Sequence, residues 1–257
     1  MPAATPDPKR GAELLAQAVA AHGGAAAIDA VQRAEFRGTS GRMLTGQAPM
    51  EMASVTQIVF PDLYRHQLTT QAGPISTVIN KDGAFVILGS GALPLPPAEA
   101  AALRSTSRRN LIALLRSRNA KDFRATRVGT GRAGDTALEM VEVEYAGDRT
   151  VLGIDPATGL VRQTIYSMPM AGSIQQVVAN LSDYRPLSNG IKYPFSSVGT
   201  VDGKPAFTSK VESVVVNGTI DPAVFVVPSA PVDMPSFEMP ASPGPAPAPM
   251  ASPSPKG

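Results

Sequence analysis

The chain carries few side chains of the kinds that catalyse reactions or bind metals. Its two histidines, His22 and His66, each lack a second His or a Glu at the spacing of a metal site, and no zinc-protease or calcium-loop motif occurs. The absence of cysteine removes thiolate nucleophiles, thiolate metal sites and disulfides. Ser90 and Ser173 follow glycines, but no GxSxG nucleophile motif is present. The sequence therefore predicts a protein that is not an enzyme and that uses no metal or cofactor.

Two glycine-containing motifs resemble ligand-binding loops. Residues 129–134, GTGRAG, match the GxGxxG pattern, but a phosphate loop needs a following helix, and residues 135–140, DTALEM, continue as a strand. Residues 155–159, DPATG, lie between two apolar runs, and Pro156 suits the second position of a turn. Both motifs are therefore predicted to be hairpin turns, and 155–159 should hold no substrate.

Positive charge is concentrated in one segment. Between Arg104 and Arg132 there are nine Lys or Arg and one acid, Asp122, in a chain whose formal net charge is +2. Phe123 is the only aromatic residue among them, so the stacking platforms of nucleic-acid-binding proteins are missing and no nucleic-acid partner is expected. A solvated face and contact with an anionic membrane or lipid headgroup both stay open. The candidate contacts are Arg104, Arg108, Arg109, Arg116 and Arg118.

Runs rich in Val, Ile and Thr alternate with turn signals such as KDG, SNG and VDG, which is typical of antiparallel sheet. Apolar spacing predicts helices at 11–22, 25–30 and 98–118, the last after a proline-rich loop at 91–97. Strands are predicted near 31–38, 50–60, 63–71, 74–80, 84–89, 122–130, 136–146, 149–154, 160–168, 173–184, 191–201 and 206–217.

The length and composition indicate one domain at 9–230. The segments 1–8 and 231–257 are rich in Pro and Ala and are predicted to be disordered, because they cannot bury enough apolar surface to order themselves. No apolar run reaches the roughly 20 residues of a membrane span. The first residues lack the apolar core of a signal peptide, so we expect that an exported form has lost its leader.

Four segments occur in an informative order: FPDLYR at 60–65, KDGAFV at 81–86, DYR at 183–185 with GIKYPF at 190–195, and VN at 216–217 followed by IDPAVFVVP at 220–228. Together with a helix ending in HGG and a helix inserted within the sheet, they resemble the bacterial lipoprotein-carrier superfamily of the LolA and LolB type. The resemblance covers about residues 10–230. Two features depart from the family: Phe85 stands where a Trp often follows the DG turn, and the family has no proline-rich tail.

The resemblance implies a mainly β fold with α (α+β), a half-open barrel of about eleven curved antiparallel strands with helices covering the concave face. It also implies a monomeric, non-catalytic carrier of lipid or lipoprotein acyl chains in the periplasm or otherwise outside the cytoplasm. The alternative is an accessory or interaction module of the same fold with a filled core, acting in envelope protein assembly. The residues predicted to face the apolar interior and bind the ligand are Ile58, Phe60, Leu68, Val78, Phe85, Ile87, Leu111, Leu115, Val143, Ile154 and Ile165.

Overall fold

The computed structural model describes residues 5–43, 50–170 and 173–229. Within these residues, thirteen strands form one antiparallel sheet and four short α-helices lie against it. The predicted fold class, a mainly β open barrel with helices, is confirmed, with thirteen strands in place of about eleven. The strands are β1 Arg33–Arg42, β2 Met50–Val59, β3 Leu63–Thr70, β4 Gly73–Asn80, β5 Gly83–Leu88, β6 Gly91–Pro94, β7 Arg124–Ala133, β8 Thr136–Tyr145, β9 Asp148–Ile154, β10 Val161–Met170, β11 Ser173–Pro186, β12 Lys192–Val201 and β13 Lys204–Val216. The helices are α1 Pro8–Ala21, α2 Gly24–Asp29, α3 Pro97–Arg108 and α4 Leu111–Arg116.

The order of the strands explains where the helices must go. Strands β1 to β6 form one meander and β7 to β13 form another, and the two are joined where β1 pairs with β13. The edge strands β6 and β7 are consecutive in the chain, and the segment between them contains α3 and α4. These two helices, which we call the helical cover, therefore link one edge of the sheet to the other. Their apolar residues join the same core as the sheet.

Helix α1 packs against the edge strand β7 and begins earlier than predicted. The Asp7 carboxylate accepts a hydrogen bond from the Arg10 backbone N–H at 2.9 Å, which caps the helix. The Asp7 backbone also pairs with that of Arg127 in β7. Ordered structure thus extends into the segment 1–8 that the sequence predicted to be disordered. The buried residues of α1 are Gly11, Leu14, Leu15, Ala18 and Val19.

The prediction of a single helix at 98–118 is wrong, because the chain forms two helices there. The break lies at Arg109 and Asn110, where the Asn110 side chain accepts hydrogen bonds from the N–H groups of Ile112 at 3.1 Å and Ala113 at 3.4 Å. Asn is a strong N-cap residue, so it ends one helix and starts the next. Helix α4 then buries every residue from Leu111 to Leu115.

Strand β6 was predicted as part of a loop because of its prolines. It pairs with β5 at the edge of the sheet, where Pro94 needs a partner on only one side. The tail predicted at 231–257 lies outside the described residues. In the described part of the chain, no helix has both the length and the apolar character needed to cross a membrane.

Candidate functional site

The strand register assigns each side chain of the sheet to one of two faces. Ile58 lies opposite Ala34 and Tyr64, and Tyr64 lies opposite Ile79, which lies opposite Ala84. All five are buried in the core that also contains Leu111 and Leu115 of the helical cover. Because side chains alternate along a strand, these pairs define an inner face, which the helices cover, and an outer face.

Part of the inner face carries apolar side chains that are not fully buried. Leu68 lies opposite Ile75 and Ile75 opposite Leu88, while Val86 lies opposite Leu93. These five residues occupy four adjacent strands and form what we call the apolar platform. Ile75 is 38% exposed and Leu93 is 40% exposed, and the other three are half-buried. Directly opposed side chains lie roughly 5 Å apart, so the platform is a continuous apolar surface about 14 Å wide across its strands.

A polar pocket adjoins the platform on the same face. Its volume is about 130 Å³. Ser54 is the cross-strand neighbour of the platform residue Leu68. Thr56 Oγ1 and His66 Nδ1 are 2.9 Å apart and share a hydrogen bond, and Asn110 Nδ2 donates to Tyr193 Oη at 3.3 Å. We call this the hydroxyl pocket, and the side chains that give it that character are Ser40, Ser54, Thr56, His66, Asn110, Tyr193 and Ser209.

Burial sets the protonation of the titratable groups in the hydroxyl pocket. It lowers the pKa of His66, so this ring is neutral at pH 7 and offers one donor and one acceptor. It raises the pKa of Tyr193 to about 12, so the phenol keeps its proton. The pocket can therefore hydrogen-bond an uncharged polar group such as an ester or amide. Among the described residues, no cluster of three His, Asp or Glu could hold a metal ion.

Six of the eleven predicted ligand residues belong to the packed core or lie against it. Ile58, Val143 and Ile154 are at most 1% exposed, and Phe60 packs against the same cluster. Leu111 and Leu115 of the helical cover are 6% and 2% exposed. These residues fill the interior at the covered end of the inner face. Leu68 is the one predicted ligand residue that lies on the apolar platform.

The remaining four predicted ligand residues lie on the outer face, so the expectation that all eleven face one interior is wrong for them. Val78 is fully buried but lies outside the core cluster, because it pairs with Arg65 and Phe85, one position out of phase with Ile79, which belongs to that cluster. Strand β5 is apolar on both faces, and β4 has the consecutive apolar residues Val78 and Ile79, so alternation could not select the correct face. Ile165 is displaced by an irregularity in β10 between Val161 and Gln163, which shifts the alternation by one residue. The residues concerned are Val78, Phe85, Ile87 and Ile165.

Two of the five predicted headgroup arginines tie the helical cover to distant acids. The Arg108 guanidinium lies 2.7 Å from the Asp148 carboxylate of β9, which also accepts a hydrogen bond from Ser105 Oγ. Arg118 makes two hydrogen bonds of 2.7 and 2.6 Å to Asp29 at the end of α2. The guanidinium lowers the pKa of the Asp29 carboxyl. These charges are therefore satisfied within the protein.

The other three arginines make no ion pair within the part of the chain that the structure describes. Arg109 lies over the Tyr166 ring, 4.1 Å from its centre, and Arg116 lies over the Phe60 ring at 4.8 Å. Arg104 is exposed on α3. Contact of the five arginines with an anionic membrane stays a prediction.

The hairpin at residues 155–159 serves the fold, as predicted. The Asp155 carboxylate accepts hydrogen bonds from the Ala157 N–H at 2.9 Å and from Thr158 Oγ1 at 2.7 Å. Gly159 has φ +73° and sits so close to α1 that a Cβ there would lie 2.8 Å from Ala21 Cβ. The GxGxxG match at 129–134 lies in the β7–β8 hairpin, which confirms that interpretation as well.

Sequence comparison identifies no relative of this chain. No family model matches it, and no curated protein matches it either. Solved structures are similar to it in fold. A LolA superfamily protein from Nitrosomonas europaea superposes with a TM-score of 0.56 and 8% identity, covering 84% of this chain and 97% of that one. A DUF1329 family protein from Desulfovibrio piger gives a TM-score of 0.50 with 12% identity, covering 86% and 98%. The first similarity confirms, at the level of the fold, the resemblance to the lipoprotein-carrier superfamily.

Proposed function

We propose that this protein is a monomeric, non-catalytic carrier that binds an acyl chain of a lipid or lipoprotein outside the cytoplasm. The observation that carries the proposal is the apolar platform, which stays partly exposed on the inner face beside a hydroxyl-lined pocket. The fold, shared with a LolA superfamily protein, supports it. In this arrangement an alkyl chain lies across Leu68, Ile75 and Leu88, and each methylene removed from water contributes about 0.8 kcal/mol.

The hydroxyl pocket completes the site for such a ligand. A lipid ester or amide that enters beside Ser54 finds hydroxyl groups on several adjacent strands and the neutral His66 ring. Thr56 and His66 bond each other, as do Asn110 and Tyr193. The serine hydroxyls of the pocket make no side-chain hydrogen bond within the described residues, so they can bond a polar group of a ligand in place of water. The proposal therefore favours ester- or amide-linked acyl chains over plain hydrocarbons.

The binding test uses a fluorescent fatty-acid ester and a matched pair of isoleucine variants. Ile75 lies on the platform, whereas Ile174 is 80% exposed on the outer face. Ile75→Asp should weaken probe binding by at least about tenfold, because it replaces an apolar contact by a charge. Ile174→Asp should change binding by less than about twofold. Equal effects of the two substitutions would remove the platform from the binding site.

The accessory module with a filled core is the second candidate. It is favoured by the tight packing of α4, whose residues Leu111, Ile112, Leu114 and Leu115 are all at most 6% exposed. Native mass spectrometry of the full chain purified from a bacterium separates the two candidates. A carrier retains a lipid adduct that Ile75→Asp abolishes. A filled module shows the bare mass and does not bind the fluorescent ester.

A further inference from the structure

Three adjoining cavities surround the turn between β2 and β3, at the end of the strands away from the platform. The first, of about 220 Å³, lies between this turn, the helical cover and the β8–β9 turn. The second, of about 500 Å³, extends towards the β4–β5 turn, and the third, of about 340 Å³, extends towards residues 220–225. All three are lined by Phe60. We call them the Phe60 cavities.

Three arginines that make no ion pair among residues 5–43, 50–170 and 173–229 line these cavities. Arg104 lines the first and second, Arg116 lines the first and third, and Arg33 lines the third. Their guanidinium groups make no ion pair or hydrogen bond within the described residues, although Arg116 stacks on Phe60. The Nε atoms of Arg33 and Arg116 are buried without a hydrogen-bond partner in the described part of the chain. This contrasts with Arg108 and Arg118, each of which has an aspartate.

The nearby charges do not fully cancel these cations. Asp29 attracts Arg116, but it is already paired with Arg118. Asp62 lines the first two cavities, but it is exposed and makes no ion pair among the described residues. Lys81 lines the second cavity and pairs with Asp82 at 2.8 Å. Arg108 also lines the first cavity, but Asp148 compensates its charge. The cavities therefore hold an excess of positive charge in a partly desolvated setting, where it interacts strongly with an anion.

We propose that the Phe60 cavities bind a phosphate-bearing anion. The planar, always charged guanidinium suits the oxygens of a phosphate, which it can bind through two parallel N–H donors. Ser107 adds a hydroxyl group to the wall of the first cavity. The apolar floor of Val59, Phe60 and Leu63 accepts carbon atoms attached to the phosphate. The same chemistry fits the headgroup of a phospholipid and a free phosphate ester.

This site is separate from the apolar platform and does not depend on acyl binding. Phe60 lies in the turn before β3, and the stretch of β3 from Leu63 to Leu68, roughly 17 Å of extended strand, separates this turn from the platform. Two of its three arginines, Arg104 and Arg116, are among those that the sequence predicted to contact a membrane. The third, Arg33, is not. A failure of acyl binding would therefore leave this inference standing, and the reverse also holds.

The experiment titrates the full chain with glycerol 3-phosphate and, separately, with vesicles of phosphatidylglycerol or phosphatidylcholine. Arg104→Gln and the double variant Arg104→Gln with Arg116→Gln are compared with Arg132→Gln, which removes the same charge from a side chain that is 64% exposed. We expect binding to fall by about fivefold for the single variant and about thirtyfold for the double one. Arg132→Gln should leave it unchanged. Since Arg104 is exposed, the single variant tests the site even if the double variant unfolds.

The two probes distinguish the source of the phosphate. Sensitivity of both glycerol 3-phosphate and phosphatidylglycerol binding to Arg104→Gln identifies a lipid headgroup. Sensitivity of glycerol 3-phosphate binding alone identifies a soluble ester. The inference is overturned if neither probe binds at millimolar concentration, or if Arg132→Gln weakens binding as much as Arg104→Gln does.

Discussion

The stability of this protein should fall as the pH drops below about 6.5, because the buried His22 ring hydrogen-bonds the backbones of two strands. The ring is 1% exposed. Its Nδ1 lies 2.7 Å from the Lys192 carbonyl oxygen and must donate to it, so Nε2 is the acceptor for the Val161 N–H at 3.2 Å. Only the neutral ring can make both bonds. Protonation would place an N–H against the N–H of Val161.

The sign of the effect follows from the pKa of this ring. Burial, as the main cause, lowers the pKa of His22 below its ordinary value. The hydrogen bond to the Lys192 carbonyl opposes this shift, and the positive charge of Lys192 adds to it. The unfolded chain therefore takes up a proton near pH 6.5 while the folded chain does not. The stabilisation is complete above this pH and is lost as the pH falls through and below it. The slope is at most about 1.4 kcal/mol per pH unit for one group.

Urea unfolding at pH 7.5, 6.5 and 5.5 measures this slope, and two variants assign it. His22→Asn can keep the bond to the Lys192 carbonyl but leaves the Val161 N–H unpaired, so it should cost about 1–3 kcal/mol at pH 7.5 and reduce the slope. Burial also lowers the pKa of His66. His66→Asn should therefore remove the contribution of His66 to the slope and leave the contribution of His22 unchanged. A wild-type stability that does not change between pH 7.5 and 5.5 would refute the reasoning.

Two further substitutions test how the helices are held. Asp148→Asn removes the half-buried partner of Arg108 and should lower the free energy of unfolding by about 1–2 kcal/mol, whereas Glu144→Gln in the exposed pair with Arg149 should change it by less than about 0.5 kcal/mol. Equal losses in urea titrations would contradict the anchoring of α3 by Asp148. Gly11→Ala should destabilise by more than about 2 kcal/mol despite the better helix propensity of Ala, because the new Cβ would lie 2.6 Å from the Ala125 carbonyl oxygen. Thermal melting that shows a stabilised variant would mean that α1 does not pack this closely on β7.

The elements of this fold were predictable where the signal is local. Turn sequences such as DPATG at 155–159 placed the hairpins, because their conformational demands involve neighbouring residues only. In β4 and β5, the neighbouring residues alone could not show which face of the strand points inward. The continuous apolar run at 84–88 allows either face to point inward, and the pairing of Tyr64 with Ile79 decides it.

The candidate site depended on contacts that no sequence window contains. Arg118 and its partner Asp29 are 89 positions apart, and Arg108 and Asp148 are 40 positions apart. Charge density alone left a solvated face and a membrane contact both open, and it could not show that Arg108 and Arg118 pair with acids of the fold. Arg33 lies outside the basic segment and joins the Phe60 cavities only through the pairing of β1 with β2. Its type and spacing gave no signal that could have found it.

The pairing of β1 with β13 affects the order in which the sheet can form. Every other pairing among the described strands joins neighbours in the sequence, so each meander is built from local contacts. The β1–β13 pairing brings Ala34 next to Val216 and closes the longest loop in the sheet. Closing such a loop costs chain entropy before any contact repays it. We therefore expect the local pairings within each meander to form before β1 docks on β13.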